Sequence, residues 1–421
     1  GPVPGGGGGP AMTDVRRNLP AVRSKGWRAK VEDKLSRGSN SSFGLWFWEI
    51  DRILLLLALL LIGIGLVAVA AASPASAVRY SDGDTQFAAM HYFWRQAVWV
   101  GASVPVLLVV SMLPVNFARR MAILGTVVCI ALVAVAAFFG AEINGARRWI
   151  GFGFASVQPS EFLKPFFIVT TAWLLSMRSK DADLPVIPLT GVLTALVAAL
   201  LMKQPDFGQT MVFGLVWIVL LMLAGISTRA MGVLGGGAVA GVIAAYLFYD
   251  TARVRIDSFL FPDPDKAAAE HYQTDMAHAV LTAGGATGTG PGGGAVKFKL
   301  PEAHTDYIFS VVGEEFGLIA CIGIAILYLA IILRVLIKLL DEEDSFRMLA
   351  AAGLAAQFGI QALINMAVNT GLAPSKGMTL PFISYGGSSM VALSIGMGLL
   401  LAFTRRNPYL KRSPYTVRGS G

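Results

Sequence analysis

An all-α integral membrane protein, a polytopic bundle of about ten transmembrane helices, is the fold class this sequence predicts. Three observations predict it. Of 421 residues, 55% are hydrophobic and 14% charged, and the mean hydropathy is +0.63. A soluble chain of this length carries charge on about a quarter of its positions. The apolar residues also fall in runs of bilayer length, about 20 residues. Finally, Lys and Arg recur in short loops on alternate sides of those runs.

Residues 1–11, GPVPGGGGGPA, read as a cloning-derived leader ahead of Met12. Residues 12–50 read as a basic cytoplasmic tail, rich in Arg and Lys between Arg16 and Arg37. No short apolar core with a small-residue cleavage site precedes the first run, so no cleaved signal peptide is expected. A disordered tail is favoured over a specific binding arm. Expected spans lie near 53–72, 93–113, 121–139, 160–177, 186–202, 210–226, 230–248, 312–337, 347–368 and 389–404. The sixth and seventh are separated only by the tight stretch Gly225–Arg229. Together the spans make one domain over 51–405, and 406–421 read as a cytoplasmic C-terminal tail.

Arg119–Arg120, Arg178 with Lys180, Arg229, Arg334 with Lys338, and Arg405–Arg406 fall on the side of the basic N-terminus. That side is cytoplasmic by the positive-inside rule, and an even number of spans returns the C-terminus to it. Arg147 and Arg148 break the rule, which suggests an anionic partner on the outer side. The net charge of +8 gathers near the chain ends and points to a membrane surface, with no nucleic-acid partner expected. Cys129 and Cys321 lie far apart within apolar runs and read as buried thiols. Four histidines without ligand-like spacing argue against a structural zinc site.

The outer connections are then about 73–92, 140–159, 203–209, 249–305 and 369–388. The fourth, between the seventh and eighth spans, is a large extracytoplasmic (periplasmic) loop, and loops of that length are usually functional or disordered. Its cluster Gly284–Gly294 contains GTGPGGG. No strand precedes it and no Gly-Lys-Ser/Thr follows, so a flexible loop with unusual backbone angles is preferred over a nucleotide-binding loop.

The polar motifs gather on this side. Leu300–Gly317, LPEAHTDYIFSVVGEEFG, sets Glu302, His304 and Asp306 together at the mouth of the eighth span, with Lys297 and Lys299 beside them. Carboxylates there and inside the span are costly and are functional candidates. Asp306 can be a plain N-terminal helix charge, or a general base that deprotonates an attacking hydroxyl. Glu314 and Glu315 lie about 12–13 Å further along the helix, too far to act with Asp306, and read as structural or hinge groups. In Gln158-Pro-Ser-Glu-Phe-Leu-Lys164, Glu161 and Lys164 are spaced i, i+3 and share a face; a structural ion pair is an equal alternative to a substrate contact. Arg147, Arg148 and Trp149 combine an interfacial anchor with cations suited to phosphate oxygens. In Lys203–Thr210, capping alone can explain Asp206. Pro374–Ser389, with Asn365–Asn369 before it, reads as a re-entrant or broken segment lining a cavity.

The stretches NGARRWI, QPSEFLK, KQPDFGQT, LPEAHTDYIFSVVGEE and SKGMTLPFISYGGSS resemble those of the SEDS proteins, the family of the FtsW and RodA peptidoglycan polymerases. They are more similar to its cell-division branch, FtsW, than to RodA. The resemblance covers the chain from the first span to the tenth. It implies a peptidoglycan glycosyltransferase that polymerises lipid II at the outer face of the bacterial inner membrane, at the division septum, releasing undecaprenyl pyrophosphate. It further implies Asp306 as the base for the acceptor 4-hydroxyl. Arg148, Lys164 and Lys376 would hold phosphate or lipid-linked substrate, with Glu161, Trp149, His304, Ser384 and Ser388 as further substrate contacts. No metal-ligand set is evident, although a divalent cation (Mg or Mn) could share the charge. A class B penicillin-binding protein of the FtsI kind and divisome regulators are the implied partners. A lipid II flippase, a proton-coupled transporter or a divisome scaffold without catalysis are the rival readings; the first needs no aspartate base.

Overall fold

The computed structural model describes residue 1 and residues 42–405, apart from 82–85, 144–145, 153–154, 180, 182, 251–252, 255, 258–269 and 375–376. Nearly all of the leader and the basic tail, the 406–421 tail, much of the first part of the long loop, and Lys376 therefore lie outside the described residues. The chain divides into two compact units, Gly1–Trp48 and Glu49–Gly421. What is described of the first is one helix, α1 (Ser42–Glu49), which ends on Glu49.

The second unit contains α2 (Arg52–Tyr80), α3 (His91–Ser111), α4 (Val115–Phe139), α5 (Pro159–Ser176), α6 (Val186–Lys203), α7 (Phe207–Leu223), α8 (Thr228–Phe248), α9 (Glu270–Ala283), α10 (Ile308–Leu339), α11 (Ser345–Asn369) and α12 (Gly387–Phe403). Each expected span overlaps one helix. Among the described residues, seven helices, α2, α3, α4, α6, α8, α10 and α11, are long and apolar enough to cross a membrane, and α7 and α12 are shorter apolar helices. Exposed faces are apolar along the length of the bundle, as at Leu56, Leu124, Val192, Val239 and Ile319. A surface of this kind needs lipid as its solvent. The protein is a multi-pass membrane protein.

Aspartates start three of the helices. Asp51 accepts from the amides of Ile53 (3.0 Å) and Leu54 (3.2 Å), Asp344 from those of Phe346 and Arg347, and Asp206 from that of Gln209. Each satisfies donors that the first helical turn leaves open. Asp51 also meets Arg334 Nε at 2.9 Å and Lys338 Nζ at 3.0 Å, which ties the start of α2 to the end of α10. The core lies where α5 and α11 pack on each other and α12 packs on α3 and α5.

Two elements in the outer connections were not expected from the sequence. The 140–159 connection holds a three-stranded antiparallel sheet, β1 (Ala141–Ile143), β2 (Ala146–Phe152) and β3 (Ala155–Val157), with Ala141 opposite Trp149 and Gly151 opposite Ser156. Its strands are too short and glycine-punctuated for a period-2 pattern to show in the sequence. The long loop also carries the polar helix α9, whose residues Ala277 and Val280 pack with Leu300, Tyr307 and Val311.

The glycine-rich stretch is docked in place, not a free loop. Helix α10 is broken at Gly317 (φ 79°, ψ 177°), a conformation open to glycine and costly for other residues. The break frees backbone groups, and the loop takes them up. Leu318 and Ile319 donate to the carbonyls of Gly285 (3.0 Å) and Ala286 (3.2 Å), while Thr289 and Gly290 donate to those of Glu314 (2.8 Å) and Glu315 (3.0 Å). Gly288, at φ 81°, lies against the Glu315 backbone, where a Cβ would overlap its carbonyl. The Glu314 carboxylate accepts from the amides of Val296 (2.7 Å) and Lys297 (3.0 Å). Lys297 is ion-paired to Glu315 and donates to the carbonyl of Ala71 at 2.8 Å. This corrects the expectation that Lys297 stands as a cation beside Asp306. Both Glu314 and Glu315 are structural, and Lys299 is exposed.

Lys297 and Glu315 are both about fully buried (1% and 0% side-chain exposure), so removing one partner strands a charge, at a cost of about 3–5 kcal/mol. Lys297→Met should therefore lower the thermal unfolding midpoint in detergent more than the double variant Lys297→Met/Glu315→Gln. Equal loss in both would mean that packing, not charge pairing, sets the cost.

Candidate active site

The site is assembled around two side-chain amides one turn apart on α11. Asn365 Nδ2 donates to the carbonyls of Asp306 (2.8 Å) and Met378 (2.6 Å). Asn369 Nδ2 donates to the Asp306 carbonyl at 3.1 Å, and its Oδ1 accepts from Ser310 N (3.2 Å) and Oγ (2.8 Å). The turn before α10 and the segment after α11 are thus joined. That segment, 377–386, is non-helical, and its residues Met378, Leu380, Phe382 and Ile383 are buried. Backbone of this kind persists inside a bundle only where protein satisfies it. Gln361 donates to the Thr379 carbonyl (3.0 Å), Tyr328 Oη to that of Pro381 (2.5 Å), and Gln96 to that of Ser384 (3.3 Å). Phe382 sits at φ 63°, and its carbonyl lies against Gly65 of α2, where a Cβ would overlap it.

A polar cavity of about 460 Å³ opens at this junction. Asp306, Glu302, Arg148, Trp149, Glu161 and Ser388 are on its wall, with Arg95 and Trp99 of α3, Gln209 of α7 and Tyr385. Asp306 leads into α10, its carbonyl fixed by Asn365 and Asn369, and among the described residues no donor reaches its carboxylate. Burial first, and the negative charge of Glu302 second, raise the Asp306 carboxyl to about 7. Glu302, at φ 50°, is held by Tyr80 Oη (2.8 Å) and Thr305 Oγ1 (2.7 Å).

Strand β2 presents Arg148 and Trp149. Arg148 is not a free cation: Nε donates to the Gln204 carbonyl (3.0 Å), Nη2 to that of Pro205, and Nη1 stands 3.8 Å from Asp206. Asp206 therefore caps α7 and also faces Arg148; its own carboxyl is raised, with burial the leading cause. On α5, Glu161 meets Lys164 at 2.7 Å and accepts from Gln209 Nε2 at 2.5 Å, and Lys164 donates to Gln361 at 3.0 Å.

Three expected substrate contacts stand behind the wall. Lys164 is 2% exposed and held by Glu161 and Gln361. Ser384 donates to the Thr305 carbonyl (2.6 Å) and accepts from the Leu380 amide (2.7 Å). His304 meets Ser76 Oγ at 2.8 Å and packs on Tyr92 at 4.2 Å; burial lowers its imidazole to about 4, so it is neutral. These three hold the wall's backbone and its acidic groups in place. Lys376 lies outside the described residues. Gln209 and Tyr385 belong to the Lys203–Thr210 and Pro374–Ser389 motifs, whereas Arg95 and Trp99 were not singled out in the sequence. A single Arg amid the aromatics Tyr92, Phe93, Trp94 and Trp99 at a span's start reads as an interfacial anchor, and only the fold turns it inward. Among the described residues no three His, Cys, Asp or Glu side chains converge on a cation position.

Residues 51–409 match the family model of the FtsW, RodA and SpoVE cell cycle proteins. The chain belongs to this family. A "Probable peptidoglycan glycosyltransferase FtsW" of Caulobacter vibrioides is 39% identical over 373 residues, which cover 89% of this chain and 94% of the relative. One of the same name from Taylorella equigenitalis is 34% identical, covering 80% and 95%. Among solved structures, a chain from a peptidoglycan synthase complex that coordinates polymerization and crosslinking superposes with a TM-score of 0.68, at 26% identity over 84% of this chain and 97% of that one. The rod-shape-determining protein RodA of Thermus thermophilus gives a TM-score of 0.61, also at 26% identity, covering 84% and 96%. The FtsW/RodA/SpoVE match thus spans the helices that build the cavity, from α2 to α12.

Glu302→Gln should bring the Asp306 carboxyl down from about 7, read as the titration of a 13C-labelled aspartate carboxyl; an unchanged titration would remove Glu302 as its neighbour. The raised carboxyl keeps its proton in the folded chain from the ordinary 3.8 up to about 7. The folded state there binds more protons than the unfolded one, so stability falls as pH rises through that window. Asp306→Asn should accordingly raise the unfolding midpoint at pH 8 but leave it near the parent value at pH 4.

Proposed function

We propose that this chain is a peptidoglycan glycosyltransferase that polymerises lipid II into glycan strands at the outer face of the cytoplasmic membrane. One observation carries the proposal: a carboxyl held near neutrality, Asp306, faces a polar cavity together with Trp149 and the guanidinium of Arg148. A base with a pKa near the working pH combines a useful ionised fraction with real proton affinity. The relatives' names supply the substrate class, and the cavity supplies groups suited to it.

In this reading Asp306 accepts the proton of the acceptor sugar's 4-hydroxyl. The freed oxygen attacks the anomeric carbon of the donor, with inversion, as the bond to pyrophosphate breaks. The electron pair leaves with undecaprenyl pyrophosphate, and nearby cations stabilise the charge that develops there. Glu302 keeps Asp306 basic, and the asparagine pair on α11 fixes where it stands. The chain works with a class B penicillin-binding protein, which supports crosslinking as the synthase complex of the solved relative does. It acts at the septum with both termini in the cytoplasm, in agreement with the loop charges and the FtsW names of its relatives.

The test is glycan-strand synthesis from labelled lipid II by the purified protein with its cognate transpeptidase, comparing the parent with Asp306→Ala after equal folding and partner binding have been confirmed. Polymer from the parent and a loss of more than about 100-fold in the variant are expected, the scale of a general base. Equal polymer from both would send the search to Glu302 or Glu161. Activity of the parent should rise with pH through about 7; a flat profile would oppose Asp306 as the base.

A further inference from the structure

We propose that one corner of the cavity, formed by the N-terminus of α12, the Ser388 hydroxyl and the Arg95 guanidinium, seats the pyrophosphate group of an isoprenyl-pyrophosphate substrate. This rests on the glycosyltransferase reading and deepens it, because it assigns the leaving group a place.

The helix end is directed into the cavity, with Gly386, Gly387, Ser388 and Ser389 on the wall. The amide of Gly386 goes to Gln96 Oε1 (3.3 Å), and that of Met390 to the Gly386 carbonyl (3.1 Å). The amides between them belong to the open first turn, where the helix carries a partial positive charge and binds anions. Ser388 is 6% exposed, and among the described residues nothing hydrogen-bonds its hydroxyl, which faces the same space. A buried hydroxyl left open in a polar cavity is the group that a ligand oxygen completes.

Arg95 supplies the charge. It is exposed on α3, on the cavity wall, and among the described residues no carboxylate stands within ion-pair distance of it. Arg148 differs, because the Gln204 and Pro205 carbonyls already use its donors. Trp99, one turn along α3 from Arg95, closes over the helix start. A Cβ on Gly387 would stand 2.6 Å from its indole Nε1, so glycine is what lets the ring lie there. A planar guanidinium and a row of backbone amides suit the two linked phosphates. An apolar ring beside them suits the first carbons of the lipid. When the sugar–oxygen bond breaks, the electron pair leaves with the pyrophosphate, and these donors meet the added charge. The proton goes separately to Asp306.

The experiment is equilibrium binding of farnesyl pyrophosphate to the full chain in detergent, with inorganic pyrophosphate as competitor. Arg95→Gln should weaken binding about tenfold and flatten its salt dependence, Ser388→Ala should weaken it about threefold, and Arg95→Lys should recover part of the loss. Asp306→Asn should bind at least as tightly as the parent, since it removes a nearby negative charge. Inorganic pyrophosphate should compete, more weakly because it lacks the chain. Unchanged affinity in both Arg95→Gln and Ser388→Ala, with unchanged unfolding midpoints, overturns the seat, as does a failure of pyrophosphate to compete. Loss of binding in Arg95→Gln while the parent makes no glycan polymer keeps the seat and removes the polymerase reading. Polymer from the parent with normal binding in Arg95→Gln does the reverse.

Discussion

The side-chain amide of Asn365 uses both of its hydrogens, one on the Asp306 carbonyl and one on the Met378 carbonyl, and the architecture of the cavity hangs on that choice. Each carbonyl belongs to backbone without helical partners at the end of a helical bundle. A carbonyl left open in such a place costs on the order of several kcal/mol. Meeting both with one side chain fixes the turn that carries Asp306 against the segment that leads to α12. Asn369 repeats the device one turn on, gripping Asp306 and Ser310 together. The base and the start of α12 therefore belong to one hydrogen-bonded body, although some eighty residues separate them in the chain.

The same constraint explains the polar residues that do not touch the cavity. Lys164 reads as a cation waiting for phosphate, yet it is enclosed by Glu161 and Gln361. It holds Glu161 at the cavity wall and does not itself reach the cavity. Ser384 and His304 stand in the same relation to Thr305 and Tyr385. A site built this way keeps few groups free for substrate and many to hold those few.

Much of this was legible from residue order alone. The helices sit where the apolar runs place them, because lipid exposure demands long apolar stretches. The re-entrant character of 377–386 was written in Pro374 just before it, in Pro381, and in its glycines. The i, i+3 spacing of Glu161 and Lys164 placed them together; which way the pair faced was a matter of α5's rotation against α11, which spacing does not encode. Lys297 was misplaced for a similar reason. It lies nine residues from Asp306, but Glu315, just ahead of the α10 break, holds it away from the cavity wall. The sheet of 141–157 and helix α9 escaped notice because short or polar elements carry weak periodicity, and Arg95 because one arginine at a span's mouth looks like an anchor.

The break at Gly317 bears on how the protein is made. As a span, α10 is handicapped by two adjacent carboxylates, Glu314 and Glu315, which an emerging helix would expose to hydrocarbon. Every group that receives them, from the Val296 amide to the Lys297 ammonium, precedes them in the chain. During synthesis the residues that receive the two carboxylates are therefore made before the carboxylates themselves, so the partners are present when α10 emerges.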